Sequence, residues 1–274
     1  MAQPSANEPS PLQIEELLVP AAFPHAVTGL KLVETHISWV VLTGAFAYKI
    51  KKPLRLDFID TSTLARRLYH CNEEIRLNRR LAPELYLRVV PITRRNGQAF
   101  VGGAGEAIEY AVCLKQFAAD EELPALLERG DVSLEEMRQL AETLAEFHLQ
   151  APTSSSAQAP QATQHMYDAV LDNIEQLIAL TSQHGRTPEL QRLWDWTRAG
   201  IAAHESAFET RARAGSIRDC HGDLHAGNIV RIDRRLAPFD CIDFDPHLRW
   251  IDVMNDMAFL VMDLHSRGHE DLAT

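Results

Sequence analysis

Apolar positions along the chain change their period twice. Residues 29–52, GLKLVETHISWVVLTGAFAYKIKK, are rich in β-branched and aromatic residues and predict strands, with Gly44 placed to turn one into the next. Residues 62–81, STLARRLYHCNEEIRLNRRL, carry apolar positions at Leu64, Leu68, Ile75 and from Leu77 to Leu81. That spacing predicts a helix, closed by Pro83. LYLRVVPITRRNGQAFVGG then predicts two strands around Asn96-Gly97, a strong hairpin signal, and IEYAVCLKQF (108–117) predicts another strand.

After residue 117 the pattern turns helical. Ser133 and Glu136 form a capping box ahead of a stripe of Leu134, Met137, Leu140, Ala141 and Leu144. Residues 151–164, APTSSSAQAPQATQ, predict a low-complexity loop that buries nothing. Two further helices are expected over about 166–183 and 188–212, the second with Trp194 and Trp196 as packing residues. Short strands return from Ile217, and no internal repeat is visible. The order predicts an α+β chain of two lobes with a cleft between them. A β-rich lobe spans 1–116 and a mainly helical lobe spans 117–274. The polar, Pro-rich MAQPSANEPSPLQ reads as a disordered tail leading into a short helix near Ile14 to Leu18.

Composition narrows the class. With 274 residues and 46% apolar content the chain has material for a sizeable core. No apolar run reaches the roughly 18 residues of a membrane span, and the N-terminus lacks the basic flank and apolar stretch of a signal peptide. Cys71, Cys113, Cys220 and Cys241 lie far apart with no C-x-x-C pair, which argues against thiolate zinc and a disulfide framework. A cytoplasmic protein with reduced thiols is the plain expectation. The net charge of −11 argues against a nucleic-acid binder. From Lys49 to Arg95, however, twelve Lys or Arg face five Asp or Glu, whereas Asp219 to Asp256 holds eight Asp and four Arg. A basic early region and an acidic late one suit a polyanion on one side and a divalent metal on the other; uneven solvated faces are the plainer alternative.

The chemistry concentrates in residues 219–247, DCHGDLHAGNIVRIDRRLAPFDCIDFDPH. His221-Gly222-Asp223 is followed by Asn228 five residues after the aspartate, and by Asp243 fifteen residues later, at the end of an apolar run. This is the logic of a kinase catalytic loop, H-x-D-x-x-x-x-N, followed by a metal-binding aspartate. An aspartate can orient and deprotonate a hydroxyl, and an amide and a carboxylate oxygen suit Mg²⁺. A kinase also needs a strand lysine and a helix glutamate upstream. Lys49 in AFAYKIK and Glu74 in NEEIRLNRRL stand in those places in the right order. Two rivals stay open. One is a dinuclear metal hydrolase using His221, Asp223, His225, Asp243 and His247, which would need neither Lys49 nor Glu74. The other is a catalytically silent kinase-like binding or regulatory module.

On these residues the chain resembles the aminoglycoside phosphotransferase-like kinases, the group with choline and homoserine kinases. HGDLHAGN carries the likeness, with His225 where protein kinases usually have Lys, then IDFD, then Asp256 in NDMAF. FAYKIKKPLRLDFIDTST, EEIRLNRRLAPELYL and FDCIDFDPHLRWIDV further resemble a bacterial group in which this domain precedes a P-loop kinase domain. The likeness spans roughly residues 25–265. It implies a protein-kinase-like fold and phosphoryl transfer from ATP or GTP, with Mg²⁺, to a hydroxyl of a small molecule. Asp223 is the implied base and His221 the brace of its loop; Asn228 and Asp243 are the implied metal ligands. Lys49 would hold phosphates, Glu74 would hold Lys49, and the backbone from Cys113 to Lys115 would meet the base of the nucleotide.

The chain departs from the family's pattern in three ways. No G-x-G-x-x-G precedes Lys49, so Thr35 to Ser38 is the candidate phosphate-covering turn. No G-x-x-x-x-G-K-[ST] occurs, so the P-loop partner domain is missing from this chain. The sequence also ends 31 residues after Asp243, where such kinases usually continue. Other groups get plainer readings. Asp245 is a second metal ligand or a salt-bridge partner, Asp252 and Asp256 fix loops and helix termini, and Lys51 and Lys52 are solvated surface charges. Strand alternation nevertheless puts Lys51 on Lys49's face. His25, His36, His165, His184 and His204 receive no role. The acidic late region favours a cationic acceptor such as an amino sugar or amino alcohol.

Overall fold

The structure is a computed structural model that describes residues 12–56, 59–155, 158–181 and 187–273. Most of the expected N-terminal tail, and His184, lie outside the described residues. Two 3-10 turns, Ile14–Leu17 and Pro20–Ala22, lead into the strands Lys31–Glu34 (β1), Ser38–Leu42 (β2) and Phe46–Lys51 (β3), then the two-residue pair Arg55–Leu56 (β4) and Ile59–Asp60 (β5). Helix Leu64–Asn78 (α1) follows, then Tyr86–Arg95 (β6), Gln98–Val101 (β7) and Ala107–Lys115 (β8). Six of these strands form one antiparallel sheet in the order β1-β2-β3-β8-β6-β7.

Period-two alternation explains the two faces of that sheet. Tyr48 and Ile50 of β3, with Ala111 and Cys113 of β8, pack beneath Leu12, Ile14, Leu17 and Phe23 of the N-terminal turns. Ala47 of β3 and Val112 and Leu114 of β8 face the other way, with Cys71 of α1. The two predicted turns form as read. Asn96 and Gly97 both have positive φ, 51° and 81°, which a two-residue hairpin between β6 and β7 requires. Gly44, at φ 97°, turns β2 into β3, and a Cβ there would stand 1.9 Å from Thr28 Oγ1.

The later elements are Leu123–Glu128 (α2), Leu134–Gln150 (α3), Ala159–Thr181 (α4), Thr187–Arg213 (α5), Ile217–Asp219 (β9), Ile229–Ile232 (β10), Arg235–Pro238 (β11), Trp250–Asp252 (β12) and Val253–Ser266 (α6). The capping box forms: Glu136 N–H donates to Ser133 Oγ at 3.2 Å, and Ser133 N–H to Glu136 Oε2 at 3.0 Å. The loop expected over 151–164 is only partly a loop, because α4 begins at Ala159. Its first turn accepts Pro160, whose missing N–H has no helical partner there, and Ala159 and Thr163 are buried one turn apart. Trp196, expected as a packing residue, is 74% exposed, whereas Trp194 donates to Glu175 at 3.2 Å.

The chain divides into two compact units. One holds the residues up to Thr143 together with His225–Asp245, the other Leu144–Leu224 with Pro246–Thr274. The division is therefore not a single cut near residue 116. Val230, Ile232 and Ala237 of the β10–β11 hairpin join the core of Ala47, Cys71, Tyr86 and Val112, which returns residues 225–245 to the first unit. The fold class is α+β, with the strands of the sheet in the first unit and α4, α5 and α6 in the second. Among the described residues no helix is long and apolar enough to cross a membrane.

Candidate active site

In the first unit, β3 and α1 build a charged cluster beneath the sheet. Thr63 caps α1, its side chain accepting from Arg66 N–H, and the helix buries a polar stripe that includes Arg67, His70, Glu74 and Asn78. Such a stripe is stable only if each group finds a partner. Arg67 donates to the buried Glu109 at 2.8 Å, and Asn78 Oδ1 accepts from Cys241 N–H at 2.8 Å. Glu74, fully buried, meets two lysines: Lys49 Nζ lies 3.0 Å from Oε1, and Lys51 Nζ lies 2.8 Å from Oε2. Lys51 also reaches Asp243 Oδ2 at 2.7 Å, while Lys49 pairs with Asp240.

The electrostatics follow from that arrangement. Burial alone would raise the Glu74 carboxyl, but the two ammonium groups pull it down to about 2. Burial works against the charged forms of Lys49 and Lys51, yet the carboxylates around them hold both well above the usual lysine range. Asp243 is pushed up by burial, against the pull of Lys51. Burial, with Lys51 close by, lowers the neighbouring His70.

Lys51 is thus 2% exposed, not the solvated charge its sequence context suggests. The reason is tertiary: strand alternation turns it inward beside Lys49, and Glu74 and Asp243 compensate its desolvation. Lys52 is also engaged, donating to Glu34 Oε1 and to the Thr35 carbonyl, both at 2.6 Å.

Beside the cluster lies a cavity of about 460 Å³, lined on its apolar walls by Val40, Ala47, Leu114 and Phe239, with Lys49 and Asp240 among its polar residues. Thr35 lines it too, from the tight turn expected to cover phosphates, where Thr35 N–H donates to Ser38 O at 2.9 Å and Ser38 N–H to Thr35 Oγ1 at 3.0 Å. Of the stretch from Cys113 to Lys115 expected to meet the nucleotide base, Leu114 and Lys115 line the cavity, and Lys115 N–H donates to Leu85 O at 2.9 Å. Cys113 packs on the opposite face of the sheet.

Asn228 closes a 3-10 turn, Ala226–Asn228, and is buried like Asp243. That turn is set by His225, whose Nδ1 accepts from Gly227 N–H at 3.0 Å. By donor chemistry Asn228 and Asp243 suit a hard divalent cation. Asp243 is a buried carboxylate already facing a positive charge, the Lys51 ammonium, and an amide and a carboxylate are oxygen donors of the type Mg²⁺ takes.

The second unit holds the loop of Asp223. Asp256, near the start of α6, accepts on Oδ2 from His148 Nε2 at 2.9 Å and from His221 N–H at 3.1 Å, and on Oδ1 from Gly222 N–H at 2.9 Å. Burial would raise this carboxyl, but the His148 side chain, His221 and the two backbone donors hold it below the usual aspartate range. Gly222 has φ 88°, and a Cβ there would stand 2.7 Å from Leu248 O, so glycine is required. His221 is fully buried, and its Nδ1 faces Asp223 N–H at 3.3 Å. Asp223 itself is half-buried. Asp252 caps α6 through Met254 N–H and takes Arg211 at 2.7 Å, which agrees with a structural role. Asp245 is half-buried.

The structure therefore gathers Lys49, Glu74 and Asp243 into one cluster, and adds Lys51, expected to be solvated, and Asp240, for which the sequence suggests no role. Among the described residues the convergent set of potential metal-ligating side chains is His148, Cys220 and Asp256, and none of the five ligands expected for a dinuclear hydrolase belongs to it.

Comparison with known proteins agrees with the resemblance. A sequence model of the phosphotransferase enzyme family (APH) matches residues 63–273. The uncharacterized protein Rv2004c of Mycobacterium tuberculosis (strain ATCC 25618 / H37Rv) and the uncharacterized protein Mb2027c of Mycobacterium bovis are each 31% identical over 255 residues. Those alignments cover 90% of this chain and 49% of theirs, so the chain spans about half the length of these curated relatives. Among solved structures, the ternary complex of streptomycin, ATP and APH(2″)-IIa is similar at 16% identity and a TM-score of 0.40. ADP-bound APH(2″)-Ib is similar at 15% identity and a TM-score of 0.43; each comparison covers 90% of this chain and 79% of the other.

Proposed function

The chain belongs to the phosphotransferase enzyme family, and from that premise we propose that it transfers the γ-phosphoryl group of ATP, or of GTP, to a hydroxyl of a small molecule. The observation that carries this reading is the placement of Lys49: on the central strand β3, lining a cavity, with its ammonium 3.0 Å from the buried Glu74. A lysine so held presents positive charge to phosphate oxygens while its long side chain is already ordered. Asn228 and Asp243 would hold Mg²⁺, which, when bound, neutralises charge on the phosphates. Asp223 would orient the acceptor hydroxyl and take its proton. Asp256 would act as a positioning residue, because it fixes the backbone of His221 and Gly222 just ahead of that base.

The acceptor class follows from the base and the local charge. A carboxylate base suits an alcohol, and the acidic stretch from Asp219 to Asp256 favours a cationic one, so amino alcohols and amino sugars are the first to screen. Asp223→Asn tests the assignment. General-base assistance is worth about 10² to 10⁴ in rate, so ADP formation in the presence of the acceptor should fall by that factor. Affinity for the Mg²⁺-nucleotide should stay near wild type, since the proposed nucleotide and metal residues lie in the other unit. Full turnover in Asp223→Asn would remove Asp223 as the base. Absence of ATP binding to the wild-type protein would remove the phosphotransferase reading.

A further inference from the structure

Lys49 is engaged from two sides, and only one of its partners belongs to the expected machinery. Glu74 holds it from α1, fully buried. Asp240 meets it from the side of the cavity, with a side chain that is 44% exposed. The remaining charges are already matched, since Lys51 sits between Glu74 and Asp243. The cavity-facing side of the Lys49 ammonium is therefore occupied by a carboxylate.

That carboxylate is delivered by a firmly held strap. Asp240 has φ 60°, a left-handed conformation that aspartate tolerates better than most residues but still rarely adopts. Its N–H donates to Tyr86 OH at 3.0 Å. On either side of it, Phe239 N–H donates to Asn228 O at 2.9 Å and Cys241 N–H to Asn78 Oδ1 at 2.8 Å. Three anchors, on β6, α1 and the Asn228 turn, fix where the Asp240 side chain begins.

We infer that Asp240 is an internal competitor for the phosphates: it pairs with the Lys49 ammonium at the cavity and must be displaced by an incoming nucleotide. The inference rests on the reading of the cavity as a nucleotide site. It carries a specificity. Once displaced, the carboxylate stands beside the phosphates and repels a bare polyphosphate, whereas a nucleotide carrying a divalent cation offsets that repulsion. Asp240 would thus make the site select the metal complex over metal-free nucleotide.

The experiment is calorimetric titration of ATP into wild type, Asp240→Asn, Lys49→Met and the double variant, in EDTA and in excess Mg²⁺. Asparagine tolerates the left-handed conformation, so the strap is kept. The expected result is that metal-free ATP binds Asp240→Asn about tenfold more tightly than wild type, about 1.4 kcal/mol. The ratio of metal-free to Mg²⁺ dissociation constants should narrow by a similar factor. In the Lys49→Met background the Asp240 substitution should have a much smaller effect, which shows that it acts through that lysine. Unchanged or weaker metal-free binding in Asp240→Asn, with wild type binding Mg²⁺-ATP normally, overturns the inference alone. Weaker binding confined to the Mg²⁺ titration overturns it in favour of Asp240 as a metal ligand. No binding by wild type in either buffer overturns the nucleotide reading and this inference with it.

Discussion

Replacing Lys51 by methionine should destabilise the protein strongly, although Lys51 looks like an ordinary surface lysine in the sequence. Its ammonium lies 2.8 Å from Glu74 and 2.7 Å from Asp243. At an effective dielectric near 20, each contact is worth roughly 6 kcal/mol before desolvation is subtracted. The net value is far smaller, because methionine also removes the cost of burying an ammonium. What remains is two carboxylates facing each other with Lys49 as the nearest cation. Removing one partner of a buried pair costs about 3–5 kcal/mol, a large share of the roughly 5–15 kcal/mol that holds a domain together. The assay is urea unfolding without metal or nucleotide, with Lys52→Met as control. Lys52 pairs with Glu34, whose side chain is 60% exposed and screened by solvent, so its loss should shift the urea midpoint much less than the loss of Lys51. If the two variants unfold at the same urea concentration as wild type, Lys51 is solvated and the buried cluster is wrong.

Asp243→Asn should abolish the stabilisation that Mg²⁺ adds to nucleotide binding. In wild type, ligand at 100 times its dissociation constant adds roughly 2.7 kcal/mol, read as a thermal shift; an equal shift in the variant would dismiss Asp243 as a metal ligand. Asp256→Asn should lose stability at neutral pH, and the loss should shrink in acid. The Asp256 carboxyl titrates below its usual value of 3.8, so its contribution is present above that pH and disappears as the pH falls through the lowered value. Urea midpoints of both proteins at pH 7 and near pH 3 check this, and a difference independent of pH would refute it.

Much of the fold was legible because its signals are local. Asn96-Gly97 requires two positive φ angles, and only a hairpin there uses them well. The alternation in β3 and β8 survives intact, so the face carrying Ala47 and Lys49 could be read from the chain. Lys49, Glu74 and Asp243, far apart in the sequence, stand in one charged cluster linked by Lys51. The failures share a cause of another kind. Lys51 is buried because of Glu74 and Asp243, and Asp240 matters because of a lysine 191 residues away. Asp243, which meets Lys51, and Asp240, which meets Lys49, both lie far along the chain, outside any local window. A signal existed all the same: Arg67, His70, Glu74 and Asn78 lie on one face of α1, and a polar face turned toward a sheet must be matched by charges on that sheet. The start of α4 is not legible locally, because the Ser, Ala, Gln and Pro around it match a low-complexity loop, although Pro160 falls where a helix tolerates it.

The division of the polar segment has a consequence for how the chemistry can be taken apart. Asp223 and Asn228 are five residues apart, yet the boundary between the two compact units falls between them, at Leu224 and His225. Lys49, Glu74, Asp240, Asp243 and Asn228 belong to the first unit, with the cavity that Lys49 and Asp240 line. Asp223, His221 and Asp256 belong to the second, where Asp256 braces the loop through two backbone N–H groups. On the proposed reading, nucleotide and metal binding would depend on contacts within the first unit, and the orientation of Asp223 on contacts within the second. Substitutions within one ion-pair network do not act additively. Lys49, Lys51 and Glu74 should therefore behave as a single strongly coupled group in any mutant series. Asp256 and His148 should form a second group that changes the rate of transfer while leaving nucleotide affinity alone.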